Sequence, residues 1–254
     1  MQNRVFQAVF RAAALVAALA FASACTTLDY RSVQGQFVDA VAADNAWSVS
    51  PLGGNAAQGL YRGFHAELSD AYIAGLDARL QPNAWLLRAV SAWRLGDFSD
   101  ARTSAATGVD NLPDTQRGSR DHVMLAMLDG LVIDSDLLVK YRSLSGKVTL
   151  DVYQSSFSPD FETGLKALDD GFKQTGPATP PEIGWYYHYH RWRLIQNWRT
   201  VVNSIEVAQD RATAKADAEA KVGQKLGAAM RAERDEIPDN HPLHLLILAH
   251  DEKS

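Results

Sequence analysis

Histidine is the side chain that most readily binds metal or moves protons near neutral pH, and five of the seven histidines of this chain fall in two short segments. His188 and His190 stand two residues apart. On a helix they point about 200° away from each other, so they cannot chelate one ion. His241 and His244 are spaced i, i+3, with His250 beyond, but His241-Pro242 also reads as a helix start with proline in its first turn. The carboxylate pairs Asp169-Asp170 and Asp134/Asp136 read as solvated faces or caps. The chain contains no P-loop, no G-x-G-x-x-G, no G-x-S-x-G and no H-E-x-x-H. The expectation is a protein with no catalytic residue, no metal and no cofactor. A hydrolase with an unrecognised site is the lesser alternative.

The remaining reactive side chain is Cys25, the only cysteine in 254 residues. It follows Arg4 and Arg11, an apolar run from Ala12 to Phe21, and the small residues Ala22-Ser23-Ala24. A basic start, a short apolar core and a small-residue exit form a secretory signal peptide, and the run is too short to span a bilayer comfortably. A lone cysteine rules out a disulfide framework or thiolate zinc site. Cleavage near Ala22-Ser23-Ala24 with a free thiol is the plain alternative to modification of Cys25.

Elsewhere the periodicity is helical. Leu68, Tyr72, Leu76 and Leu80 recur every four residues, and Phe161, Leu165, Leu168 and Phe172 share one helical face. Ser158-Pro159 looks like a serine cap with proline inside the first turn, and Thr179-Pro-Pro-Glu182 like a capping box. Helices are expected near 118–144 and 159–175, and one long exposed helix over 203–236, weakened by Gly223 and Gly227. Only 147–153 alternates apolar and polar residues as a strand would. Loops are expected at 50–55 and turns at 112–114, 145–146, 176–177 and 237–240. The fold class expected is all-α.

Two resemblances sharpen this picture. The setting of Cys25 resembles the lipobox of bacterial lipoproteins, with Ala22 standing where leucine is usual. It implies cleavage of residues 1–24, acylation of Cys25 and a lipidated tether over 25–35. Thr26, rather than aspartate, after the cysteine implies the outer membrane, facing the periplasm. Loss of Arg4 and Arg11 leaves the mature chain near a net charge of about −7, so the lipid rather than surface charge would hold it to the membrane. Residues Pro82–Pro113 resemble the tetratricopeptide repeat: Trp85, Leu95-Gly96-Asp97-Phe98, Ala101 and Pro113 fall at the pattern's positions. Trp185 and Trp198 repeat the 13-residue spacing of Trp85 and Phe98, 100 residues on. The resemblance implies antiparallel helix pairs in a short right-handed superhelix over 36–254.

In such repeats the first helix of each pair lines a concave groove. Carried onto this chain, the groove positions are Asn83, Leu86, Val90, Trp93 and Arg94, then Ile183, Tyr186, His190, Arg193 and Leu194. Aromatics and arginines could stack on and hydrogen-bond a ligand. The net charge of −5 speaks against nucleic acid. The function expected is a lipid-anchored, periplasm-facing scaffold for an envelope protein of secretion, transport or assembly. The alternative is a carrier that encloses a small molecule for a transporter.

Overall fold

The structure, a computed structural model, describes residues 29–43 and 56–251. The expected signal peptide, Cys25 and the 50–55 loop lie outside them. The described residues are helical, without strands, and divide into two compact units, the chain passing from one to the other between Asp97 and Phe98. That division falls inside the stretch matching the first repeat.

The first unit contains α1 (residues 29–43), α2 (Ala56–Glu67), α3 (Asp70–Ala74) and α4 (Gln81–Leu95). Helix α1 takes up seven residues of the expected tether. It is held by its own chemistry: Tyr30 Oη and Gln34 Nε2 both donate to Asn83 Oδ1, at 2.7 and 2.9 Å. Phe37 meets Phe64 edge-on at 5.4 Å. The four-residue spacing from Leu68 to Leu80 does not make one helix. Ser69 breaks it, its hydroxyl accepting from the Tyr72 amide to start the five-residue α3. Helix α4 ends as expected at Gly96, whose φ of +82° favours glycine.

The second unit runs through α5 (Phe98–Asp110), α6 (Arg120–Ser143), α7 (Leu150–Val152), α8 (Ser158–Phe172), α9 (Glu182–Asn203), α10 (Ala208–Val222), α11 (Leu226–Asp235) and α12 (Pro242–Asp251). Neighbours in sequence pack on one another: α5 on α6, α6 on α8, α8 on α9. Helices α6 and α8 pack closely, and glycine makes it possible. A Cβ at Gly171 would lie 2.6 Å from the Ala126 and Met127 backbone, and one at Gly130 would lie 2.6 Å from Leu168.

Four local expectations are corrected here. The alternating 147–153 stretch is no strand: Thr149 caps α7, and a π-helical turn, Tyr153–Phe157, carries the chain straight into α8. Tyr153 and Phe157, four apart, are both fully buried, so the apolar spacing served a helix. Ser158 is therefore not a helix cap but lies within a continuous helical run. Thr179 does not cap α9; it accepts from the Gly176 amide at 2.9 Å and donates to Gly118 O. The stretch 203–236 is two helices, because Gly223 adopts φ +80° and ends α10.

Candidate functional site

Helix α9 carries six consecutive aromatic or imidazole side chains and then two more tryptophans, so one helix must serve several faces. Its core face is Ile183, Trp192, Leu194, Ile195 and Trp198. Trp198 stacks on Phe161 at 5.1 Å with the rings 9° from parallel, and its Nε1 donates to Tyr153 Oη at 2.9 Å. Two polar clusters flank that face.

The first cluster centres on Asp134, which is 2% exposed. Arg193 Nε reaches Asp134 Oδ2 at 2.8 Å, and Asn197 Nδ2 donates to Oδ1 at 2.6 Å. Burial pushes the carboxyl up from its ordinary value, while Arg193 and Asn197 pull the other way. His190 lies edge-on to Tyr186 at 4.3 Å and to Tyr189 at 5.1 Å. Its burial, reinforced by the Arg193 charge, holds it well below the usual histidine range, so the ring is neutral at pH 7. The second cluster joins α8, α9 and α11. Arg191 Nε donates to Glu233 Oε1 at 2.6 Å, His188 Nδ1 lies 2.8 Å from Glu233 Oε2, and Arg191 also pairs with Asp169. Tyr187 stacks on Phe172 at 4.0 Å and donates to Asp169 Oδ1. Burial alone would raise the Glu233 carboxyl, but His188 and Arg191 hold it below its ordinary value.

These contacts sort the expected groove residues. Tyr186, His190 and Arg193 do follow one side of α9, as the i, i+4, i+7 spacing requires. Leu86, Ile183, His190 and Leu194 are buried, so they are packing residues rather than an open lining. Asn83 is covered by Tyr30 and Gln34. Arg193 is spent on Asp134. What stays accessible is Val90, Trp93 and Arg94 in the first unit, with the Arg94 guanidinium 5.8 Å from the Trp93 ring, and Tyr186 in the second. Asp134, taken from sequence as a solvated face or cap, is instead a buried ion-pair partner. Its position directly after Leu131-Val132-Ile133 was the available signal.

No family model, curated protein or solved structure matches this chain.

The histidines of each pair meet different partners. His188 faces Glu233 and His190 faces two tyrosines. His241 lies 4.8 Å from the Trp185 ring, and His244 Nδ1 lies 2.8 Å from Ile237 O. Among the described residues no group of three metal-binding side chains converges, and no helix is long and apolar enough to cross a membrane. One further cluster has the composition of a serine nucleophile with a lysine base. Ser158 Oγ accepts from Lys221 Nζ at 2.9 Å. Yet Ser158 is 1% exposed and donates its proton to Asp217 Oδ2 at 2.5 Å, while Lys221 also faces Glu162 at 3.1 Å. Tyr153 Oη donates to the same Asp217 oxygen at 3.0 Å. This network ties α8 to α10 and presents no open nucleophile.

Proposed function

We propose that the chain is a lipid-anchored scaffold of tetratricopeptide-like helix pairs that faces the periplasm and binds a protein of the cell envelope. The observation that carries this proposal is the chain-order packing of α5, α6, α8 and α9, since stacked helix pairs bury their faces on their neighbours and leave extended surfaces for partners. The residues at Trp85, Gly96, Phe98, Ala101 and Pro113 support the repeat assignment from sequence. Ala101 is fully buried, as a small residue in a helix pair should be.

Binding rather than catalysis is favoured because the polar clusters around α9 and between α8 and α10 satisfy their own carboxylates. Asp134, Glu233 and Asp217 each meet at least two donors from elsewhere in the same unit. In this proposal Cys25 carries the lipid, and Trp93, Arg94 and Tyr186 are contact residues, each in its own unit. Aromatic and arginine side chains carry a disproportionate share of interface energy. Affinity capture from solubilised envelopes, with the intact lipidated protein as bait, tests it.

A further inference from the structure

A cleft of about 770 Å3 opens between the C-terminal half of α9, α10 and the start of α11. Arg199, Lys215, Lys225 and Arg231 all line it. Among the described residues none of these four forms an ion pair. Elsewhere in the same unit most basic side chains find acids, as Arg102 does Asp129, Lys140 does Asp160 and Arg193 does Asp134, whereas Arg142, Lys147 and Arg211 form no ion pair among the described residues and lie outside the cleft. A shortage of carboxylates does not explain the contrast, because the chain carries 30 acidic residues against 25 basic ones. The lining offers Glu219 as its one carboxylate, and a fifth cation, Arg234, is held by Asp235 at 2.8 Å.

Like charges gathered around a concave surface repel each other and focus a positive potential into the space between them. An anion entering the cleft relieves that repulsion. The volume lies within the range of small-ligand sites, roughly 300–1,000 Å3. Two arginines and two lysines supply both modes of phosphate recognition, the guanidinium fork and the compact ammonium charge. The first turn of α11 contributes a partial positive charge of the same sign.

We propose that this cleft binds a ligand carrying two or more phosphate charges. The same chemistry is offered by a soluble phosphate ester and by the phosphomonoester headgroup of a lipid. This goes beyond the scaffold role and stands without it. Isothermal titration of the full-length protein in non-ionic detergent, with inorganic pyrophosphate in one arm and a short-chain phosphatidic acid in the other, separates the sources. Pyrophosphate binding alone assigns a soluble ligand, and tighter phosphatidic acid binding assigns a lipid headgroup. In either case the affinity must fall with rising salt. It must weaken at least tenfold in Lys225→Glu/Arg231→Glu and stay unchanged in Arg142→Glu, which reverses an exposed charge outside the cleft. If the double variant does not fold, Lys215→Ala alone must still weaken binding. Absence of binding by both probes overturns the proposal, as does binding that survives the cleft substitutions.

Discussion

Removing the Arg193 guanidinium separates a surface arginine from a structural one. Asp134 keeps only 3% of its side chain exposed, and Arg193 keeps 28%. In Arg193→Ala the carboxylate stays buried with Asn197 as its remaining partner. Breaking a buried ion pair from one side costs about 3–5 kcal/mol. Water reaches part of this pair, which places the expected loss near the lower limit, about 3 kcal/mol. In a unit of this size that lowers the thermal midpoint by roughly 6–12 °C. Asp134→Asn in the same background removes the stranded charge and should recover most of the loss. The pH dependence has a fixed sign. Burial raises the Asp134 carboxyl above its ordinary 3.8, and loss of Arg193 raises it further. The folded variant then binds a proton that the unfolded chain does not, so the gap between Arg193→Ala and Arg193→Ala/Asp134→Asn closes as the pH falls towards 3.8. Urea denaturation followed by far-UV circular dichroism reads both effects. Arg94→Ala, at an exposed position, should stay within about 0.5 kcal/mol of the parent. If Arg193→Ala is equally silent, the buried pair does not hold α6 to α9.

Two further outcomes test the packing and the anchor. Gly171→Ala should cost about 1–3 kcal/mol or more, because its Cβ would press on α6 backbone that has no rotamer to yield; Gly184→Ala, whose Cβ meets nothing nearer than Phe172 Cζ at 3.8 Å, should be tolerated in the same thermal melt. Cys25→Ser should leave unprocessed precursor or release the chain from the outer-membrane fraction; retention of that variant in the fraction after a high-salt wash removes the lipid from the account.

Helix type was legible because apolar spacing is a local signal. Phe161, Leu165 and Leu168 are buried on one face, and the expected helices near 118–144 and 159–175 became α6 and α8. The Gly96 turn was legible because one residue's backbone preference decides it. Pairings across the chain were not legible. Arg193 lies 59 residues from Asp134, and no periodicity says that a groove-facing arginine has a buried acid beside it. No local pattern marked the glycines at 130, 164 and 171, which set how closely α6 and α8 approach. Local patterns also misled where two structures share one spacing: 147–153 alternates like a strand, but Tyr153 and Phe157 pack as successive turns. The cationic cleft was invisible because its residues come from α9, α10 and α11, and the sequence suggested that the last two were one helix.

Quantitative affinity capture from solubilised envelopes tests the central proposal most directly, comparing the intact protein with Trp93→Ala/Arg94→Ala and with Tyr186→Ala as bait. Trp93, Arg94 and Tyr186 are the aromatic and arginine contact residues among the expected positions that remain accessible, so a folded variant that loses them should lose its partner. The predicted result is one envelope protein recovered reproducibly by the parent chain and depleted at least tenfold with a variant whose circular dichroism is unchanged. Recovery of no envelope protein by the parent, or undiminished recovery by both folded variants, would contradict a scaffold that binds through these residues.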